Sequence, residues 1–295
     1  MTNAASHVAV LIANPGNPVL DDALIARTKA LLPGAEATRI LNPGIAAEIA
    51  FTGTADSEAI RAALDAPVDV ALLPAANRRK GLFLADMDST MIGQECIDEL
   101  ADYAGMKEHV SAITERAMRG EIAFEPALRE RVALLKGLPL SVVDQVIADR
   151  IRLTPGGTTL VRTMRANGAY TMLVSGGFTL FTNRLAATIG FDADRANVLL
   201  TEGELFSGAV AEPILGREAK LATLIELRET LGLSAADTMA VGDGANDLAM
   251  LGEAGVGVAY HAKPQVAASA HVRIDHADLT ALLYLQGYSS AAFVA

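Results

Sequence analysis

Short apolar runs alternate with segments of helical periodicity along most of the chain. The run Leu82–Ala85 is apolar without interruption, which is typical of a strand covered on both faces of a parallel sheet. It leads without a turn residue into Asp86-Met87-Asp88-Ser89-Thr90. Similar runs, separated by predicted helices, occur at Tyr170–Val174, Thr238–Val241 and Val256–Ala259. This alternation predicts an α/β fold with a Rossmann-like parallel sheet core.

Residues 94–152 interrupt the alternation because helical periodicity dominates there and no clear strand pattern is present. Glycines separate the periodic segments. The predicted helices are Cys96–Tyr103, Lys107–Arg119, Glu125–Lys136 and Leu140–Ala148. We interpret this stretch as a helical cap inserted after the first strand of the sheet.

Residues 1–76 carry a third pattern and are predicted to form a domain of their own, with residues 77–295 as the second domain. The predicted elements are strand Val8–Ala13, helix Asp21–Leu32, strands Ala37–Leu41 and Ala46–Phe51, helix Ser57–Leu64 and strand Val68–Pro74. The β-α-β-β-α-β order is that of a ferredoxin-like α+β domain. The segment contains no convincing ligand constellation, so we favour a structural or dimer-forming role over effector binding.

Composition and charge narrow the classes of function. A net charge of −11 argues against non-specific nucleic-acid binding, which needs basic surface. The single cysteine, Cys96, excludes an intrachain disulfide and suits a reducing compartment. No apolar run approaches the roughly 20 residues of a membrane span, and the N-terminus lacks the features of a secretory signal. We therefore expect a soluble, cytoplasmic protein.

Four polar sites stand out, and three of them follow predicted strands. They are Asp86 with Asp88, Ser175-Gly176, Lys220, and the stretch Gly242–Asp247. Each has an ordinary structural explanation as a turn, a helix cap or a solvated lysine. Because the carboxyl ends of parallel strands share one edge of the sheet, residues far apart in sequence can meet there. Their order and spacing together favour a common site.

The four sites supply the parts that phosphoryl transfer requires. A carboxylate can act as the nucleophile, a hard cation lets it approach the phosphate, and a second acid can move protons. A lysine, a hydroxyl or an amide can hold the phosphate oxygens. The candidates are Asp86 as nucleophile, Asp88 as acid/base, Asp243 with Asp86 for Mg²⁺, and Ser175, the Gly176 amide and Lys220 for phosphate.

At these positions the chain resembles the four motifs of the haloacid dehalogenase superfamily of phosphatases, over residues from about 81 to 287. Further segments resemble its phosphoserine phosphatase family: Ile92–Glu99, Thr114–Gly120, Leu128–Gly137, Val174–Phe178 and Ala259–Pro264. Residues 1–76 are more loosely similar to the ACT-like domain that precedes the catalytic part in longer members.

The resemblance implies a role for each matching residue. Mg²⁺ would be held by Asp86, the main-chain oxygen of Asp88, and Asp243, with Asp247 supporting the metal from nearby. Glu95 would contact the substrate ammonium, Arg131 would pair with the substrate carboxylate, and Asn246 would contact phosphate or the network beside it. A planar guanidinium suits a carboxylate.

The implied activity is hydrolysis of O-phospho-L-serine through an aspartyl-phosphate, the last step of L-serine biosynthesis. A related phosphatase or phosphotransferase acting on another small phosphate, such as phosphohomoserine, is one alternative. A serine sensor that uses the N-terminal domain is another, although the complete acid–serine–lysine–acid set speaks against it. A homodimer through that domain is a further expectation, and no nucleic-acid or membrane partner is expected.

Overall fold

The structure, a computed structural model, describes residues 6–118 and 121–295. Residues 1–5 of the predicted first domain lie outside the described residues, as do Arg119 and Gly120, which end one of the resembling segments. The described strands form a four-stranded sheet, a six-stranded sheet and a two-stranded hairpin. None of the described helices has the length and apolar character that crossing a membrane requires.

The first sheet is antiparallel and comes from the N-terminal segment. Its strands lie in the order β2-β3-β1-β4, and two helices cover one face. The elements are β1 His7–Ala13, α1 Asp22–Leu31, β2 Thr38–Asn42, β3 Ala46–Phe51, α2 Ser57–Leu64 and β4 Val68–Pro74. This strand order and connectivity confirm the predicted ferredoxin-like topology. Its similarity to an ACT-like domain stays a prediction.

The second sheet is parallel throughout and carries the predicted Rossmann-like core. Its strands are β5 Leu82–Ala85, β6 Tyr170–Phe178, β7 Ala193–Asn197, β10 Thr238–Gly242, β11 Val256–Tyr260 and β12 Val272–Ile274, and the separate hairpin is β8 Leu199–Glu202 with β9 Leu205–Val210. The order is β12-β11-β10-β5-β6-β7, so β5 lies between β10 and β6. All four side chains of β5 are fully buried, as its apolar run predicts. Because β10, β5 and β6 are parallel neighbours, their carboxyl ends lie together at the same end of the sheet.

Strand β6 is longer than its apolar pattern predicts. The apolar run predicts a strand that ends at Val174 and a turn at Ser175-Gly176-Gly177, but the strand continues to Phe178. Sheet pairing explains the difference, because the ladder to β7 shifts register after Val174 and resumes between Phe178 and Asn197. Ser175 Oγ accepts the Gly177 N–H at 2.8 Å, which stabilises the irregular stretch.

Within the described residues the cap consists of four helices, as predicted, and lies beside the hairpin. They are α3 Cys96–Tyr103, α4 Lys107–Met118, α5 Phe124–Ala133 and α6 Val142–Asp149. The backbone after α5 pairs with β9, since Gly137 N–H donates to Phe206 O at 2.9 Å and Phe206 N–H donates to Leu138 O at 3.0 Å. This pairing fixes α5 at its C-terminal end.

The remaining helices pack around the parallel sheet. They are α7 Gly157–Ala166, α8 Thr179–Ile189, α9 Arg217–Thr230, α10 Leu248–Glu253, α11 Pro264–Ala267 and α12 Ala281–Leu285. Helix α12 is buried along its whole length, and it contacts β1 of the first sheet as well as α7. It therefore connects the two halves of the chain.

Strand β1 of the N-terminal sheet is buried on both faces. Ala9 and Leu11 of β1 point to its own helices, whereas Val8, Val10 and Ile12 join the apolar cluster that contains the parallel sheet and α12. Side chains alternate along a strand, so every second residue of β1 belongs to the second cluster. The two halves of the chain therefore share one core. That face is not available for a dimer.

A buried carboxylate ties β4 to the segment after β12. Asp69 is fully buried, and its two oxygens accept the backbone N–H groups of Asp275, His276 and Ala277 at 2.8, 3.2 and 2.9 Å. The Arg61 guanidinium lies 3.4 Å from the same carboxylate. The charge of Asp69 is thus satisfied by partners from both halves of the chain.

We expect Asp69→Ala to lower the free energy of unfolding by about 3 kcal/mol, because it leaves buried N–H groups without an acceptor. Urea unfolding followed by circular dichroism measures the change. Asp144→Ala is the control, since Asp144 forms an exposed ion pair with Arg184 and its loss should cost less than about 0.5 kcal/mol. Equal effects of the two substitutions would contradict the proposed role of Asp69.

Candidate active site

The carboxyl ends of β5, β6 and β10 open into a cavity of about 290 Å³ between the sheet and the cap. Eight of the ten predicted site residues line it: Asp86, Asp88, Glu95, Arg131, Ser175, Gly176, Asp243 and Asn246. The other two, Lys220 and Asp247, are fully buried. Lys220 pairs with Asp86 of the cavity wall, and Asp247 pairs with Lys220. The structure thus brings all ten together.

The turn after β5 places two of the acids. Met87–Met91 forms an irregular turn in which Ser89 adopts a left-handed φ of 54°. Asp86 Oδ1 accepts the Met87 N–H at 2.8 Å, and Asp88 Oδ1 accepts the Cys96 N–H at 3.0 Å. Ser89 Oγ donates to Glu95 Oε1 at 2.7 Å. These bonds hold the acids of the turn, together with Glu95, at the cavity.

Lys220 joins two of the acids through a buried ion-pair triad. Its Nζ lies 2.6 Å from Asp86 Oδ1 and 2.7 Å from Asp247 Oδ1. Burial favours the neutral amine, but the carboxylates of Asp247 and Asp86 outweigh it and raise the pKa of Lys220 above its ordinary value. The lysine therefore remains charged and restrains both acids.

Only glycine fits beside this triad at position 242. A Cβ there would lie 2.3 Å from Asp247 Cγ, well inside van der Waals contact. The Asp247 side chain occupies the space that this Cβ would take, and its Oδ2 accepts the Gly244 N–H at 3.1 Å. The glycine at the end of β10 thus creates the space that the buried acid occupies.

Three carboxylates form a group that fits a metal ion. One oxygen each from Asp86, Asp243 and Asp247 lie within 4.8 Å of one another. An all-oxygen, acidic set of ligands suits a hard divalent cation. Asp247 was predicted as a supporting residue and joins this group directly, whereas a ligand role for the main-chain oxygen of Asp88 stays a prediction.

Like charge and burial raise the pKa values of these acids. Burial, followed by the neighbouring Asp86, raises the pKa of Asp243 to about 6 and that of Asp247 to about 7. The same two causes raise the pKa of Asp88 to about 6. Burial and Asp88 raise the pKa of Glu95 to about 8. The acids thus crowd one another, and Asp88 can exchange a proton near neutral pH.

The cap supplies a cation to the wall of the cavity. Arg131 is only 6% exposed and lines the cavity from α5. Within residues 6–118 and 121–295 it forms no ion pair with a carboxylate; instead its guanidinium donates to Thr114 Oγ1 at 2.9 Å and to Ala127 O at 3.1 Å. A buried guanidinium without a counter-ion favours an anionic ligand.

The sequence-based prediction missed two basic residues that also line the cavity. Lys263 follows β11, and its charge partly offsets the rise in the pKa of Asp243 that burial and Asp86 cause. Arg217 precedes Lys220 by one turn of α9. Lys263 lies within Ala259–Pro264, one of the segments that carried the resemblance, and could have been noticed there.

Comparison with known proteins places these observations in a family. Residues 83–252 match the haloacid dehalogenase-like hydrolase family. A phosphoserine phosphatase of Polaromonas sp. strain JS666 is 48% identical over 209 residues, which cover 69% of this chain and 89% of that protein.

Two solved structures extend the similarity over nearly the whole chain. A haloacid dehalogenase family hydrolase of Salmonella enterica serovar Typhi has a TM-score of 0.84 at 29% identity, covering 95% of this chain and 98% of its own. The unliganded form of a probable phosphoserine phosphatase of Vibrio cholerae has a TM-score of 0.77 at 32% identity, covering 99% and 90%. The similarity therefore includes the N-terminal sheet.

We expect a divalent cation to stabilise the protein more at about pH 7.5 than at about pH 5. Because their pKa values are raised, Asp243 and Asp247 keep protons in the folded state that the unfolded state releases. Stability of the metal-free protein should therefore fall as pH rises from about 4 to 7. A bound cation neutralises the negative charge that Asp243 and Asp247 acquire when they ionise. At low pH, protons compete with the cation for these carboxylates.

Thermal unfolding with EDTA or with MgCl₂ at both pH values measures the effect, and the gain in Tm should be several degrees larger at the higher pH. Asp243→Asn removes one ligand of the group and should abolish most of the gain, whereas the exposed-site variant Asp144→Asn should keep it. An equal gain at both pH values would be evidence against the acidic group as the binding site.

Proposed function

Because this chain belongs to the haloacid dehalogenase-like hydrolase family, we propose that it converts O-phospho-L-serine and water to L-serine and phosphate. The observation that carries the substrate assignment is the buried Arg131 of the cap, without a carboxylate partner among the described residues, on the wall of the cavity that Asp86 also lines. The sheet side of the cavity thus suits a phosphate and the cap side a carboxylate. The phosphoserine phosphatase relatives support the same assignment.

The phosphate end supports a two-step transfer through Asp86. In the first step a carboxylate oxygen of Asp86 forms a bond to phosphorus, the bond from phosphorus to the serine oxygen breaks, and Asp88 gives that oxygen a proton. In the second step Asp88 takes a proton from water as the water attacks the aspartyl-phosphate. Phosphate leaves and Asp86 is regenerated. The pKa of Asp88, raised by burial and Asp86 to about 6, suits both proton transfers.

We propose Mg²⁺ as the cation, held by Asp86 and Asp243 with Asp247 and the main-chain oxygen of Asp88. When bound, it would supply the positive charge that allows a carboxylate and a phosphate to approach each other. The oxygen-only character of the group favours this ion over softer metals.

The chain's own donors would hold the phosphate oxygens. Ser175 and Asn246 line the cavity next to the acids, as does Gly176. Asn197 donates to the carbonyl oxygen of Gly176 at 2.8 Å, which fixes the peptide unit that follows the Gly176 amide. Lys220 restrains Asp86 through the triad, and we propose that its charge also acts on the phosphate bound there.

Glu95 and Arg131 would recognise the amino-acid end. An arriving ammonium favours the ionised form of Glu95, whose pKa burial and Asp88 otherwise raise to about 8. The Arg131 guanidinium can bind the carboxylate with two parallel hydrogen bonds. Ile97 and Leu128 add apolar surface to the same cavity, so the cap can shield the reaction from bulk water.

Broader expectations follow from the proposed activity. L-Serine formation would be the last step of its biosynthesis, and a cytoplasmic location suits that role. A homodimer through residues 1–76 also stays a prediction. It would have to use a surface other than the sheet face that the parallel-sheet half covers.

We expect Arg131→Ala to raise the KM for O-phospho-L-serine roughly 30- to 100-fold with a smaller change in kcat. The reason is the loss of charge-assisted hydrogen bonds to the carboxylate, about 2 to 3 kcal/mol. Phosphate release in the presence of Mg²⁺, measured over a panel of small phosphate esters, gives both constants.

Arg129→Ala is the matched control, because Arg129 lies two residues away on α5, is exposed and pairs with Glu125 and Glu212. Its KM should stay at the wild-type value. If Arg131→Ala binds phosphoserine as tightly as wild type, or if another ester is hydrolysed far faster, the substrate assignment is wrong.

A further inference from the structure

Arg131 is held in place by two hydrogen bonds that leave most of its donors available. A guanidinium has five N–H groups. Among the described residues, the Nε hydrogen is used by Ala127 O, one turn earlier on α5, and one Nη1 hydrogen by Thr114 Oγ1 on α4. The first bond stays within α5, so Thr114 provides the contact that relates the guanidinium to a second cap helix.

The Thr114 hydroxyl is itself oriented by the helix that carries it. Thr114 is 6% exposed, and its Oγ1 donates to Val110 O, four residues earlier on α4, at 3.0 Å. Since a hydroxyl has one proton and two lone pairs, this bond leaves lone pairs for the Arg131 N–H. A β-branched side chain also has few rotamers in a helix. The acceptor offered to Arg131 is therefore fixed in direction.

Asp98 of α3 contacts the Thr114 hydroxyl and, among the described residues, does not bond directly to the Arg131 guanidinium. Its Oδ1 lies 3.4 Å from Thr114 Oγ1, and its Oδ2 accepts the Ser111 hydroxyl at 2.8 Å. Burial lowers the pKa of Arg131, and Asp98 is the acid that most opposes this effect. A direct ion pair would block a substrate carboxylate, whereas the intervening hydroxyl keeps the guanidinium accessible.

We infer that Thr114 is a positioning residue that orients the Arg131 guanidinium toward the carboxylate of the substrate and thereby sets substrate affinity. This inference rests on the proposed function, in which Arg131 binds that carboxylate. Thr114 lies on the cavity wall together with Arg131, but it acts through the arginine. It should therefore influence binding of the amino-acid end and leave the phosphate end unaffected.

Thr114→Val tests the inference, because valine keeps the shape of threonine and removes the hydroxyl. We expect the KM for O-phospho-L-serine to rise about tenfold, as for loss of one oriented hydrogen bond, and kcat to change less than about twofold. The inhibition constant of inorganic phosphate, which has no carboxylate, should stay at the wild-type value. Thr114→Ser keeps the hydroxyl and should restore most of the affinity.

Thr223→Val is the matched control. Thr223 is also buried in a helix, donates to the carbonyl oxygen four residues earlier, and accepts an arginine N–H, from Arg195 at 2.9 Å. Thr223 does not line the cavity. The KM and the phosphate inhibition constant of Thr223→Val should therefore stay at the wild-type values. If the rise in KM came only from removing a buried threonine hydroxyl, Thr114→Val and Thr223→Val would show it equally.

Two results would overturn the inference. One is an unchanged KM in Thr114→Val while Arg131→Ala raises it. The other is an equal loss of affinity for phosphoserine and for inorganic phosphate, which would indicate disturbed cap packing. If Thr114→Val does not fold, Thr114→Ala gives the same comparison with a smaller side chain. An unchanged KM in Arg131→Ala would instead contradict the proposed function itself.

Discussion

The arrangement of the acids depends on Lys220, whose charge is buried with Asp86 and Asp247 as its two partners. Several carboxylates meet in one small cavity, where burial and then repulsion by Asp86 raise the pKa values of Asp88, Asp243 and Asp247. Lys220 pairs with two of them, and the pKa values of Asp88, Asp243 and Asp247 stay raised in its presence. The acidic group therefore suits a second, exchangeable cation. Asp86, the proposed nucleophile, is held by the lysine.

The parallel sheet makes this convergence possible, and the cap gives it selectivity. Strands β5, β6 and β10 end side by side, so acids from distant parts of the chain become neighbours. The backbone must also approach closely, because a Cβ at Gly177 would lie 2.9 Å from Asp88 Oδ2. The cap contributes Arg131 to the same cavity. In the proposed function the sheet thus supplies the chemistry and the cap the recognition of the amino-acid end.

The sequence predicted the features that are local in the chain. The apolar run before Asp86, the four cap helices and the ferredoxin-like order of the first sheet were correct because period and spacing determine them. Features that depend on contacts between distant segments could not be predicted. The burial of β1 on both faces requires α12, and the extension of β6 requires β7. Thr114 belongs to a helix with an ordinary periodic pattern, and its contact with Arg131 exists only once α4 and α5 pack together. The family resemblance supplied the residue roles that periodicity alone left open.

The central claim is that Asp86, restrained by Lys220, attacks phosphorus and carries the phosphoryl group between the two steps. It is tested most directly by mixing the enzyme with O-phospho-L-serine and Mg²⁺, quenching with acid within milliseconds, and mapping phosphorylated peptides by mass spectrometry. The account predicts a phosphoryl group on Asp86, formed before free phosphate accumulates and absent in Asp86→Asn. Phosphate release at the wild-type rate by Asp86→Asn, or a phosphoryl group found only on another residue, would contradict it.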